Sequence, residues 1–117
     1  MGNCTDSSPN LQAGFWDGGS FHPTPLGTVL TSGNWYQVVG TWDGSNMALY
    51  LNGAVTSSLS IPGFTSASGG QGIRLMRRWD ADQYWGGKLS IVRIYSVDIG
   101  SVGVAQNFAA NRSRFGL

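Results

Sequence analysis

The sequence predicts an all-β protein, an antiparallel β-sandwich with a short C-terminal helix. Three observations lead there. Met47, Leu49 and Leu51 alternate with Ala48, Tyr50 and Asn52, the period-two pattern of a strand with one buried face. Residues 35–42, WYQVVGTW, are rich in aromatic and β-branched side chains, which suit a pleated surface. Asp43-Gly44 and Asn52-Gly53 follow these runs and supply the positive φ that tight hairpin turns require.

The remaining elements follow in chain order. Residues 1–10 are polar, contain Pro9 and read as an N-terminal arm; residues 11–117 form the single domain. Residues 11–16 read as a strand ending at Asp17-Gly18-Gly19. Residues 20–30 hold Pro23 and Pro25, so they are expected to be extended or at most an edge strand, since proline has no N–H for a ladder. In residues 35–42 both faces carry an aromatic side chain, which places this strand in the middle of a sheet with cover on both sides. Residues 54–59 return as a third, more polar strand. A Ser/Gly-rich loop over 61–72 leads to a strand at 73–79, a loop at 80–87 and a last strand at 88–95. A helix is expected over 101–111, with Val104 and Phe108 four residues apart on one face. The predicted core contains Val38, Leu49, Leu51, Val92 and Ile94.

Two of these stretches carry a family resemblance. The run W-Y-Q-V-V-G-T-W-D-G followed by M-A-L-Y-L-N-G, and the run G-G-K-L-S-I-V-R-I-Y over 86–95, resemble the central hairpin and the last strand of concanavalin A-like, or laminin G-like, jelly-roll domains. The resemblance spans roughly residues 25–110 and implies that fold, which hosts lectins, glycosidases, adhesion modules and viral structural parts. Against the family, the strands that normally precede residue 35 are missing or shortened, so the chain resembles a jelly roll truncated on its N-terminal side. A sandwich lacking strands leaves apolar faces and strand edges uncovered, and both favour association.

Composition narrows the function. Charged residues make up 11% of the 117-residue chain, against about 25% in typical domains. The net charge is +1, so total charge offers no case for nucleic-acid or membrane-surface binding. No apolar run approaches the length of a membrane span. Residues 1–30 lack a basic stretch followed by an apolar one, so no signal peptide is expected. The single cysteine, Cys4, cannot form an internal disulfide. Asn3-Cys4-Thr5 and Asn111-Arg112-Ser113 match the glycosylation sequon, a pattern frequent by chance.

Catalysis is not expected. The sequence contains no glutamate, whereas glycosidases resembling this fold use paired glutamates on one strand and glycoside hydrolysis needs two carboxylates flanking the bond. Asp17 and Asp43 precede glycine and read as turn residues, His22 is the lone histidine, and no G-x-S-x-G element is present. In the resembling last strand an aspartate commonly helps to hold a structural calcium ion. Ser90 stands there, and a neutral hydroxyl is a poor ligand for a hard cation. No cofactor is therefore expected, and structural calcium is doubtful.

The strongest recognition candidate is the group Arg77, Arg78, Trp79, Asp80, Asp82, Tyr84 and Trp85. Flat rings beside planar donors and acidic acceptors suit the apolar face and hydroxyls of a sugar; Arg, Trp and Tyr also dominate protein interfaces. The same residues serve equally as core and rim of the sandwich, with arginine stacked on tryptophan. The sequence thus points to a non-catalytic module with protein partners, in self-association or a larger assembly such as a virion decoration or appendage. A lectin-like glycan-binding adhesion module is the alternative. A virion or an extracellular surface is the expected setting.

Overall fold

The computed structural model describes residues 10–63, 75–76 and 86–117. The predicted arm lies outside them apart from Asn10. So do the strand expected at 73–79, apart from Leu75 and Met76, and most of the loops on either side of it.

The two turn dipeptides build the larger sheet. β3 (Val38–Trp42), β4 (Asn46–Leu51) and β5 (Ala54–Ser60) form an antiparallel sheet in the order β3-β4-β5. Asp43 closes the first turn. Its Oδ1 accepts the amides of Ser45 at 2.7 Å and Asn46 at 2.6 Å, while Gly44 takes a φ of 99°. Those bonds hold the carboxyl of Asp43 below the usual carboxylate range, the contacts with Asn46 first and the Ser45 amide after them. At the second turn Asn52 (φ 50°) and Gly53 (φ 83°) link the facing pair Leu51 and Ala54. Two successive positive φ values are the geometry of a type I′ hairpin.

β1 (Gly14–Trp16) and β2 (Phe21–Pro23) form a second, two-stranded antiparallel sheet. The strand expected over 11–16 is regular only in its second half. Pro23 and Pro25 lack the N–H groups an unbroken ladder would use, and individual bonds take its place. The amide of Thr24 donates to the Ala13 carbonyl at 2.7 Å and that of Gly27 to the Leu11 carbonyl at 2.8 Å. The buried Thr24 hydroxyl accepts the Ala13 amide at 3.2 Å. Asn10 bridges to Val29 beyond this.

The core lies between the two layers. Leu11 and Ala13 from the hairpin side meet Met47 and Leu49 of β4, with Phe15, Leu30, Trp42, Leu51, Leu59 and Ile61 partly buried around them. Phe15 and Trp42 close one side in an edge-to-face contact, with ring centroids 5.5 Å apart. A bulge in β5 ties the layers by hydrogen bonds. Leu49 faces Ser57 but Tyr50 faces Val55, which leaves Thr56 as the extra residue of a β-bulge. The Thr56 hydroxyl meets that of Thr28 at 2.8 Å, and Ser57 donates to the Pro25 carbonyl at 2.8 Å.

Four expectations need correction. Among the described residues β4, not β3, is the central strand, and β4 is buried on both faces: Leu49 on one and Tyr50 on the other. Residues 35–37 do not join the ladder; the Tyr36 hydroxyl instead accepts the Thr31 amide at 3.1 Å and folds 31–36 into a loop. The predicted core residues Val38, Val92 and Ile94 are exposed, Val92 at 46% and Ile94 at 67%, while Leu49 is 2% exposed and Leu51 half-buried. Among the described residues 88–95 pair with neither sheet.

The helix forms as expected. α1 (Gly100–Asn111) begins where Asp98 Oδ1 accepts the Gly100 amide at 2.9 Å, and Val104 is its fully buried residue. Phe108 packs on the β4–β5 turn: a Cβ on Gly53 would lie 3.0 Å from its ring. A 3-10 turn over Arg112–Phe115 ends at Gly116, in the left-handed conformation that closes helices. Phe115 then rests against Trp35, with centroids 5.1 Å apart.

Candidate functional site

None of the seven predicted site residues, Arg77, Arg78, Trp79, Asp80, Asp82, Tyr84 and Trp85, lies among the described residues. The described residues display two other surfaces suited to contact.

The first is the tip of the β1–β2 hairpin. Trp16 faces Phe21 across the ladder, so both rings stand on the same face. Trp16 is 56% exposed and Phe21 44%. The Phe21 ring folds back over Gly14, where it occupies the place a Cβ would take, so a larger residue at 14 would push the ring aside. Asp17 organises the turn below the rings. Its Oδ1 accepts the amides of Gly19 at 2.8 Å and Ser20 at 2.6 Å, and its Oδ2 lies 2.7 Å from His22 Nε2. The bond to His22 and then the two backbone amides pull the Asp17 carboxyl down to about 2. The hairpin thus offers an exposed aromatic pair on one face, while His22, opposite Phe15 in the register, projects from the other face. Sequence reading assigned Asp17 to a turn. It missed the aromatic pair because Trp16 and Phe21 become neighbours only once the register is set.

The second is a run of exposed apolar side chains along residues 89–102. Leu89, Val92, Ile94, Val97 and Val102 are all exposed. The α1 sequence that follows, GSVGVAQNFAAN, contains no charged side chain. Arg93 and Tyr95 fasten this segment to the helix through Asn107, which accepts from Arg93 Nη1 at 3.4 Å and donates to Tyr95 Oη at 3.0 Å.

A cleft of about 230 Å³ also opens between the layers, lined by Ala13, Gly14, Phe15, Gly40, Thr41 and Met47. Small residues on both walls create it, and no titratable side chain lines it.

Each described aspartate accepts backbone amides: Asp17 and Asp43 in turns, Asp98 at the start of α1. Ser90 is exposed, and no cluster of three or more His, Cys, Asp or Glu side chains occurs among the described residues. Ser90 therefore offers a neutral hydroxyl where the family resemblance implies a carboxylate ligand for calcium.

Two antiparallel layers around the Leu11–Leu49 core, closed by a C-terminal helix, are the frame in which the sequence comparison is decisive. The family model of the Concanavalin A-like lectin/glucanases superfamily matches residues 3–101. The chain belongs to this superfamily. Among solved structures, an S-layer domain-containing protein (residues 221–444) from Clostridium thermocellum ATCC 27405 is similar. It is 15% identical with a TM-score of 0.58, over 92% of this chain and 67% of that one. At that identity the likeness shows the fold alone. No curated protein sequence matches the chain. The matched span takes in both sheets and ends as α1 begins.

Proposed function

We propose that this chain is a non-catalytic β-sandwich module that works by contact, as a structural or assembly subunit of a virion, an appendage or a comparable particle. The observation that carries the reading is the apolar surface of 89–102. Leu89, Val92, Ile94, Val97 and Val102 stand in solvent beside a helix without charge. Covering a large apolar side chain is worth about 1.5–3 kcal/mol, and exposed apolar surface concentrated in one region marks an interaction site. The described aspartates are occupied with backbone amides, which supports a non-catalytic role. The name of the similar solved structure, an S-layer domain-containing protein, is in keeping with assembly.

In this reading residues 1–10 are an arm, residues 11–117 are the module, and Arg77, Arg78, Trp79, Asp80, Asp82, Tyr84 and Trp85 add a second contact. Self-association is the simplest form such contact takes. Light scattering across about a hundredfold dilution tests it, because mass action makes an assembly depend on concentration. The expected result is a particle larger than one chain at high concentration, reduced by V92S/I94S. A monodisperse monomer at every concentration overturns self-association. Assembly of V92S/I94S equal to that of the unaltered chain removes the 89–102 surface from the reading.

A second reading has its own observation. The exposed Trp16–Phe21 pair offers the flat rings that stack on the apolar face of a sugar. Glycan-dependent quenching of tryptophan fluorescence, abolished in W16A, would favour a lectin-like module. The absence of quenching over a broad glycan panel removes this reading.

A further inference from the structure

Three turns of the described chain carry an acidic or amide residue before glycine: Asp17-Gly18, Asp43-Gly44 and Asn52-Gly53. Only the last holds an amide, and asparagine is among the thermolabile side chains of proteins. In a flexible chain the backbone nitrogen of Gly53 can attack Cγ of Asn52, since glycine offers no side chain to hinder the approach. The N–Cγ bond forms, the Cγ–Nδ2 bond breaks, and Nδ2 leaves as ammonia with the proton given up by the Gly53 nitrogen. Water then opens the five-membered imide. The product is aspartate if the original backbone is restored, or isoaspartate if the backbone now runs through Cβ and Cγ.

The folded turn opposes the attack in two ways. Asn52 is tied to Gln37 at both ends: its Oδ1 accepts the Gln37 amide at 2.9 Å, and its own amide donates to the Gln37 carbonyl at 2.9 Å. Its carboxamide therefore reaches across to the segment leading into β3. The turn itself is held against α1. A Cβ on Gly53 would lie 3.0 Å from Phe108 Cδ1 and 3.1 Å from Phe108 Cβ, so the Gly53 backbone has little room to rotate. Bringing Cγ onto the Gly53 nitrogen requires Asn52 to release Gln37 and the turn to move off Phe108.

We propose that Asn52 is a deamidation site gated by the docking of α1, intact while Phe108 covers the turn and reactive when it lifts. The two products differ in consequence. Aspartate keeps an oxygen for the Gln37 amide. Isoaspartate adds a backbone atom to a two-residue turn pinned between Leu51 and Ala54, so the turn cannot keep its register or its fit to the helix.

Peptide mapping by mass spectrometry tests this on the full chain held at mildly alkaline pH, native and in urea. Asn52 is expected to react about tenfold or more slowly in the native protein, the ratio set by the local opening of the turn. Phe108→Ala should raise the native rate and leave the rate in urea unchanged. Equal rates in the native and the unfolded chain, or a native rate unmoved by Phe108→Ala in a folded variant, overturn the proposal. Should Phe108→Ala fail to fold, the unmodified protein in sub-denaturing urea replaces it. Deamidation should there rise in step with hydrogen exchange of the Gln37 amide, and deamidation that ignores that exchange overturns the gate.

Discussion

At the scale of single residues, the turns depend on a few particular residues. Asp17 binds two backbone amides and His22, and its carboxyl falls from 3.8 to about 2 in the folded chain. A depressed carboxyl pKa means that the folded state prefers the charged form, so its contribution is present above about 3.8 and is lost as pH falls toward 2. We expect the β1–β2 tip to loosen across that window, reported by the fluorescence of Trp16 in a variant whose other tryptophans are replaced by phenylalanine. Asp17→Ala should show the loosened signal already at neutral pH. Gly53 is the second such residue. Gly53→Ala forces a side chain into the left-handed region at φ 83° and against Phe108. It should cost about 1–2 kcal/mol for the backbone alone, measured by urea unfolding with an unchanged slope.

At the scale of elements, β4 is the strand on which the packing rests. It pairs with β3 and β5 and buries Met47, Leu49 and Tyr50. Leu49→Ala should destabilise the protein by about 2–5 kcal/mol. Ile94→Ser should change stability by no more than about 0.5 kcal/mol, because Ile94 is exposed. A sequence reading alone ranks the two alike. Parallel denaturant curves of the two variants separate these outcomes, and a large loss in Ile94→Ser would show that residues 88–95 are part of the folded core.

At the scale of the molecule, a small two-layer core coexists with much exposed apolar surface. The inner cluster is Leu11, Ala13, Met47 and Leu49, whereas Leu26, Val55, Leu89, Val97 and Val102 are exposed. A domain's whole margin is about 5–15 kcal/mol, so a partner that covers several such side chains can contribute as much as the fold itself. V92S/I94S is therefore expected to leave the melting of the dilute protein nearly unchanged and to lower its melting temperature at high concentration, where association stabilises the native variant.

Much of this architecture was legible in the sequence because it is local. The alternation from Met47 to Leu51, the Asp43-Gly44 and Asn52-Gly53 turns and the helix bearing Val104 and Phe108 follow from pleat, positive φ and helical period, each set by residues a few positions apart. The class of fold and the superfamily followed from those runs. The tertiary structure decided what depends on distant chain. Whether Val92 and Ile94 are core or surface turns on which strand lies beside them, and their alternation is the same in either case. The predicted site at 77–85 was chosen by residue type alone. The pairing of Trp16 with Phe21, the Thr56 bulge bound to Thr28 and the docking of Phe108 on Gly53 exist only through register and layer packing. Side-chain chemistry fixes what a residue can do, whereas burial and neighbours are properties of the closed chain.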